Sequence, residues 1–172
     1  MWSDGQNTAD NQTDRAMNRT FEPNEVSLTW SDAHLLGYGP MDEAHKEFYS
    51  VAVALLKCNS HNALEAVAAF ERHAVEHFKQ EEQWMLETNF PSRNCHIEEH
   101  GAVLSSVYQV RETIAAGDLD IRLAHDLAYH LLRWFPGHTD YLDSALASWL
   151  TRIKHGGNSV IRGRREFSWF GP

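Results

Sequence analysis

Residues 77–100 carry the clearest structural signal in the chain and read HFKQEEQWMLETNFPSRNCHIEEH. This stretch contains two pairs of side chains that can bind metal, His77 with Glu81 and His96 with His100, each pair four residues apart. Because an α-helix turns once every ~3.6 residues, the members of a pair lie on one helix face. The segment NFPSRN between the pairs is typical of a turn. The stretch therefore predicts two helices joined by a turn, each presenting two potential metal ligands.

Two further groups extend this pattern in both directions along the chain. His45 lies upstream, and His138 and Asp143 lie downstream, five residues apart and so about 140° apart around an ideal helix. Five histidines with two carboxylates are more ligands than one metal ion needs; imidazole suits iron, zinc and copper, and a carboxylate can bridge two cations. The inventory predicts a pair of metal ions. The candidate ligands are His45, His77, Glu81, His96, His100, His138 and Asp143.

Apolar residues at helical spacing place these groups on four helices. Ser92 is expected to cap the third helix and Gly117 to end it. Short turns between helices favour an all-α, up-down-up-down four-helix bundle, in which every helix lines one interior site. A ferritin-like site is disfavoured, because its two Glu-x2-His motifs with carboxylate partners are not in the right places here. The expected helices cover 41–57, 62–88, 93–115 and, from a cap at Asp118 or Asp120, a range that reaches about Ile153.

One domain with flexible ends accounts for the rest of the chain, because 172 residues with 42% hydrophobic content can bury one core. Residues 1–20 are polar and predict a flexible leader. Residues 21–155 are expected to hold the bundle and an N-terminal arm, which packs across it and ends at the breaker Gly39-Pro40. In this arm, Trp30 is interpreted as an aromatic plug over the core, with a cofactor contact as the alternative. Residues 156–172 combine arginines with aromatic residues and are interpreted as a tail that docks on a partner or on the bundle, or else stays mobile.

Charge and composition exclude several classes of protein. A formal net charge of −9 argues against nucleic-acid binding, which needs a basic surface. No apolar run approaches the ~20 residues of a membrane span, and the first residues lack the apolar core of a secretion signal. Cys58 and Cys95 are expected to be free thiols in a reducing compartment, although their spacing leaves a disulfide open. The sequence predicts a cytoplasmic protein and leaves its oligomeric state open.

The ordered groups resemble the hemerythrin-like family of non-haem di-iron, oxygen-binding proteins, in particular its bacterial type. The resemblance runs from about Trp30 to Ile153. Residues 77–100 match the family pattern HFxxEExxM, followed by an aromatic-Pro loop and H-x3-H, and Asp42-x2-His45 matches the segment that usually precedes it. The resemblance implies a four-helix bundle around two iron ions, with dioxygen as the ligand.

A division of the ligands between the two irons also follows from the resemblance. Three histidines would bind one iron, two histidines the other, and both carboxylates would bridge the pair together with an oxo or hydroxo group. Dioxygen would bind end-on, as hydroperoxide, at the iron with two histidines. The implied sets are His96, His100 and His138 on the first iron, His45 and His77 on the second, and Glu81 and Asp143 between them.

The fourth helix departs from the family pattern. Where the family usually has Trp-Leu-x-x-His-Ile, this chain has WFPGHT at residues 134–139. Phe135 and Thr139 are therefore the candidate residues of the oxygen pocket, which we expect to be tighter and more polar than usual. Pro136 lacks the backbone N–H that would bond the carbonyl of Leu132 and predicts a local kink. The change either leaves the chemistry unaltered or favours faster autoxidation or peroxide chemistry.

Other polar residues near these groups receive plainer interpretations. His73, one turn before His77, is interpreted as a partly buried histidine, with a substitute ligand or a partner of a ligand as the alternative. Glu82, Glu98 and Glu99 are interpreted as residues that contribute to solubility.

Three classes of function remain. The preferred one is reversible dioxygen binding for storage, delivery or scavenging, which makes the chain a binding protein rather than an enzyme. The second is an oxygen or redox sensor that signals through its termini, with the C-terminal tail as the candidate contact for a protein partner. The third is a di-iron enzyme that acts on peroxide or nitric oxide. Because metal identity is inferred from resemblance, manganese or a mixed pair stays open.

Overall fold

Four helical rods make up the fold in the computed structural model, which describes residues 30–117 and 120–156. The first three rods are α1 (Gly39–Leu56), α2 (Ala63–Glu87) and α3 (Arg93–Ala115). The fourth rod comprises α4 (Ile121–His138), a π-helical turn (Thr139–Asp143) and α5 (Ser144–Lys154). A short 3₁₀ helix (Asp32–His34) precedes α1. The described residues form no β-strand. None of their helices combines the length and the hydropathy that a membrane span requires.

Two clusters of buried apolar side chains fill the bundle, one at each end. Along α1 and α3 the chain passes from the smaller cluster to the larger, and along α2 and the fourth rod it returns. This alternation confirms the up-down-up-down topology. The candidate ligands lie where each rod passes from one cluster to the other. The larger cluster includes Phe48, Leu55, Val67, Phe70, Val107, Leu131 and Phe135, and the smaller one comprises Met41, Met85, Phe90, Leu146, Ala147 and Leu150.

The helix ends follow the predicted signals at some positions and depart from them at others. Asp120 caps α4 by accepting a hydrogen bond of 3.0 Å from the backbone N–H of Arg122, and Gly117 follows α3 with φ +99°. Ser92 occupies the cap position of α3 but makes no capping hydrogen bond with its side chain. The sequence predicts that the pair Gly39-Pro40 precedes α1, but the pair forms its first turn, where the missing N–H of proline costs no helix hydrogen bond.

The described part of the N-terminal arm is fastened to α1 by a buried carboxylate. Asp42 accepts hydrogen bonds from the backbone N–H groups of Leu36, at 2.7 Å, and Gly37, at 3.1 Å. Trp30 packs against the larger apolar cluster, while Leu36 and Tyr38 pack against the smaller one. The arm therefore crosses the bundle from one cluster to the other. The predicted leader over residues 1–20, residues 21–29, Asp118 and the predicted tail beyond Gly156 lie outside the described residues.

Candidate metal centre

Five of the seven candidate ligands converge from α2, α3 and the fourth rod. Each offers one atom, and these five atoms lie within 4.8 Å of one another. Nε2 of His138 is 3.1 Å from Nε2 of His96 and 3.0 Å from Nε2 of His100. Because at most one nitrogen of such a pair can donate a hydrogen bond, lone pairs stay directed at the centre of the group. The five residues are Glu81, His96, His100, His138 and Asp143, and all are buried.

A second group consists of His45 from α1 and His77 and Glu81 from α2, again with one atom each within 4.8 Å of the others. Nε2 of His77 is 3.1 Å from Oε1 of Glu81, which follows from their spacing of one helical turn. Nε2 of His45 is 3.8 Å from the same oxygen. All three side chains are buried. The two groups share Glu81, so the second lies directly beside the first.

Each carboxylate divides its oxygens between the two groups. Oε1 of Glu81 faces His77, and its Oε2 lies 3.4 Å from Nε2 of His96. Oδ1 of Asp143 is 3.0 Å from the same Nε2 of His96, and its Oδ2 is 3.2 Å from Nε2 of His45. Asp143 thus contacts the second group as well, although its ligand atom clusters with the first. This is the arrangement in which a carboxylate can bridge two cations.

The π-helical turn brings Asp143 toward His138. In a regular α-helix these two residues would lie about 140° apart. Here the backbone N–H of Ser144 bonds the carbonyl of Thr139, five residues earlier, as in a π-helix. Residues five apart then stand nearly above one another, and Oδ1 of Asp143 comes within 3.3 Å of Nε2 of His138. The predicted fourth helix, expected to reach about Ile153, is confirmed, but it accommodates one additional residue between the two candidate ligands.

Charge at the centre is strongly coupled. Burial and the neighbouring Asp143 act to raise the pKa of Glu81, but contacts with the histidines, led by His45, outweigh them and lower it. Burial also opposes ionisation of Asp143, whose pKa is nevertheless lowered well below the usual range by its histidine contacts. Burial lowers the pKa values of His45 and His96, but close contacts with the two carboxylates raise both to about 9. At neutral pH the metal-free centre thus pairs two ionised carboxylates with two protonated imidazoles, and a metal ion would displace those protons.

Several buried polar atoms in this centre lack hydrogen-bond partners among the described residues. They include Nε2 of His45, Oε2 of Glu81 and both side-chain oxygens of Asp143. A buried carboxylate without hydrogen bonds or a cation is costly, by several kcal/mol for a group of this kind. Nitrogen and oxygen donors that converge in this way suit a divalent transition metal, which would take the place of the protons on the imidazoles. The residues present therefore fit a metal centre.

The two candidate pocket residues occupy different positions. Phe135 is 2% exposed, stacks on Phe48 with ring centroids 4.2 Å apart, and meets the ring of His45 edge-on at 5.2 Å. Thr139 is buried, and its hydroxyl donates a hydrogen bond of 3.0 Å to the carbonyl of Pro136. The helix continues through Pro136 to His138, and its irregularity begins only at Thr139. Phe135 thus forms an apolar wall beside the second group. The hydroxyl hydrogen of Thr139 is bonded to a backbone carbonyl of its own helix.

His73 agrees with its sequence-based interpretation, whereas Glu99 makes a contact that the sequence does not indicate. His73 is partly buried, with Nδ1 3.5 Å from the exposed Glu47, and burial lowers its pKa to about 4. Neither metal-binding group found in the described residues includes it. The sequence indicates only a contribution of Glu99 to solubility, yet its Oε2 lies 3.2 Å from Nδ1 of His138. No spacing within the sequence signals this contact, because it joins different helices.

A four-helix bundle that buries two overlapping groups of histidines and carboxylates belongs to the class of metal-binding bundles. The family model described as the hemerythrin HHE cation-binding domain matches residues 36–150, a range that contains all seven candidate ligands. The chain is also similar to a bacteriohemerythrin of Ralstonia nicotianae, with 33% identity over 125 residues that cover 73% of this chain and 90% of that protein. The chain therefore belongs to the hemerythrin family.

Proposed function

We propose that this chain holds two iron ions and binds dioxygen reversibly, for storage, delivery or scavenging. The observation that carries the proposal is the pair of buried ligand groups that share Glu81. His96, His100 and His138 would hold one iron, and His45 and His77 the other. Glu81 and Asp143 would bridge them, together with an oxo or hydroxo group. The family match over residues 36–150 and the similarity to a bacteriohemerythrin support this assignment.

An iron pair held in this centre would supply the electrons that reduce dioxygen on binding and would take them back on its release. The chain's own residues provide the conditions for release. Neutral imidazole donors outnumber carboxylates, which leaves more positive charge on the metals than a carboxylate-rich set would. We expect this balance to restrain further oxidation of the irons.

Apolar rings around the ligands keep water out of the centre. Phe78 stacks on His100 with ring centroids 3.9 Å apart, and Phe135 covers His45. A dry site of this kind strengthens electrostatic interactions. It also limits the transfer of protons from water to bound dioxygen, which would prevent its release. The second group, with His45 and His77, has fewer ligands than the first and lies beside Phe135. We therefore propose that the oxygen pocket lies between this group and Phe135.

The hydroxyl that Thr139 introduces near the centre is the feature that would favour an enzyme acting on peroxide or nitric oxide. That hydroxyl donates its hydrogen to the carbonyl of Pro136. It is therefore not directed as a donor toward a ligand on the metals, and reversible binding is the better-supported function. A sensor that signals through the C-terminal tail would depend on residues outside the described part of the chain.

The test is an oxygen cycle on purified protein whose iron content has been measured. The protein is reduced without air, dioxygen is added and then removed, and the ultraviolet-visible spectrum is recorded at each stage. Two irons per chain and a charge-transfer band that rises and falls with dioxygen are expected. His77→Ala should lose the cycle, whereas His61→Ala, at an exposed position, should retain it. Absence of iron would refute the proposal, and one-way oxidation or steady peroxide consumption would favour the enzymatic alternative.

A further inference from the structure

Glu99 forms a link between two residues of the fourth rod. It lies on α3 immediately before His100, and its Oε2 is 3.2 Å from Nδ1 of His138. The same oxygen accepts a hydrogen bond of 3.2 Å from the indole N–H of Trp134. Trp134 lies one helical turn before His138, and their rings pack at 4.2 Å with an interplanar angle of 32°. Carboxylate, indole and imidazole therefore form a closed triangle at the outer edge of the centre.

The contact has a chemical consequence for the inner nitrogen of His138. An imidazole carries its hydrogen on one nitrogen or the other when it is neutral, and a carboxylate next to Nδ1 favours hydrogen there. Nε2 is then left with its lone pair, and this is the nitrogen that faces His96 and His100 at 3.1 and 3.0 Å. Glu99 thus selects the form of His138 that can bind a metal.

His138 differs in this respect from other histidines of the centre. Nδ1 of His45, His77 and His96 is buried without a hydrogen-bond partner among the described residues. Those rings are held by packing, whereas His138 has a charged acceptor on its outer nitrogen. Histidines that bind metals usually donate their other N–H to a partner of this kind, which fixes the ring and makes it a better donor.

The triangle of Glu99, Trp134 and His138 lies at the protein surface. Glu99 is 51% exposed and lines a cavity of about 420 Å³ together with Trp134, Gly137, His138 and Tyr141. A carboxylate open to water would lose most of its influence if it were free to rotate. The indole N–H restricts it, so that the charge stays against Nδ1.

We propose that Glu99 is a positioning residue for the first metal group, which fixes the hydrogen and the orientation of His138 while Trp134 holds it in place. The inference rests on the proposed metal site and adds a residue outside the seven ligands. Its effect is local. Loss of Glu99 weakens the metal held by His138 and leaves the metal held by His45 and His77 unchanged.

Zinc provides a redox-silent probe. Titration of the metal-free protein with Zn²⁺ in a calorimeter should show two ions per chain in the unaltered protein. Glu99→Gln keeps the size of the side chain and removes its charge, and should weaken one zinc by about tenfold, the lower end of the range for such partners, because Glu99 is half exposed. Glu98→Gln removes the same charge from the neighbouring exposed residue and should bind both zinc ions normally.

A spectroscopic readout separates positioning from general weakening. In zinc-loaded, ¹⁵N-labelled protein, the Nδ1–H proton of His138 should be shifted downfield and exchange slowly with water, because it is bonded to a carboxylate. In Glu99→Gln this proton should move upfield and exchange faster. Trp134→Phe retains a ring over His138 but lacks the indole donor, and should weaken the same zinc. It also serves as the test if Glu99→Gln folds poorly.

Failure of this inference can be told apart from failure of the proposed function. If the unaltered protein takes up neither zinc nor iron, the metal site itself is refuted. If it binds two zinc ions and Glu99→Gln binds both with unchanged affinity, the positioning role is refuted while the site stands. Equal weakening in Glu98→Gln, or equal weakening of both zinc ions in Glu99→Gln, would also overturn it, because the effect would then be one of net charge or of the whole fold.

Discussion

Replacing Phe135 by leucine tests the apolar wall beside the second metal group. Phe135 is 2% exposed and stacks on Phe48, with ring centroids 4.2 Å apart and planes 11° from parallel. A stacked aromatic pair contributes about 0.5–1.5 kcal/mol beyond the area it buries. Leucine also leaves part of the ring volume empty, and cavities of this kind add to the loss. We expect the free energy of unfolding of the metal-free protein to fall by about 1–3 kcal/mol.

Urea denaturation measures this change. A loss of stability should lower the midpoint while the slope stays constant, since the surface exposed on unfolding hardly changes. A double-mutant cycle with Phe48→Leu isolates the ring pair and should give a coupling of about 0.5–1.5 kcal/mol. Tyr141→Leu is the control, because Tyr141 is 80% exposed and its replacement should change stability by less than about 0.5 kcal/mol. A coupling near zero, or equal losses at Phe135 and Tyr141, would refute the assignment of Phe135 as a packed wall of the site.

Three other predictions concern the shared carboxylate, the arm and the pH dependence of metal binding. Glu81→Gln should reduce iron content at both positions, because Glu81 belongs to both groups; elemental analysis showing one fully occupied iron would contradict this. Asp42→Ala should destabilise the protein by about 1–3 kcal/mol, since two backbone N–H groups of the arm lose a charged acceptor, and thermal or urea unfolding would show it. In the metal-free protein the pKa values of His45 and His96 are raised to about 9, so both rings carry protons at neutral pH. The stability that these protonated rings contribute is fully present below the pKa of histidine in the unfolded chain. It is lost as pH rises through about 9. Zinc must displace these protons, so its affinity should rise between about pH 7 and pH 9, and calorimetry in two buffers should detect their release; a flat profile would exclude this competition.

Most of the fold and the convergence of the seven candidate ligands could be predicted from sequence. Pairs such as His77 and Glu81 stand four apart, so the period of the helix alone places them on one face. Apolar residues at the same period fix which face is buried, and short turns leave little choice of topology. The structure brings the residues together as that reasoning requires.

The π-helical turn could not be predicted from helix periodicity. His138 and Asp143 stand five apart, a spacing that an α-helix does not align. Both the carboxylate and the apolar face of α5, which includes Leu146 and Leu150, must point inward. This requirement comes from the packing of the whole bundle. The additional residue of the π-helical turn allows both to point inward. The irregular spacing itself was the only local signal.

The role of Glu99 was missed for a related reason. Its neighbours Glu98 and His100 show only that it lies on α3 near a candidate ligand. Its contacts with Trp134 and His138 join α3 to α4, and helix periodicity says nothing about which surface residues of two helices meet. Such contacts depend on how the rods are placed side by side.

A crystal structure of the iron-loaded protein, with diffraction data at the iron absorption edge, would show whether two metal ions share one buried centre. Two anomalous peaks are expected, one adjoining His96, His100 and His138 and the other adjoining His45 and His77, with Glu81 between them. A single peak, or iron bound only at surface histidines, would contradict a shared centre.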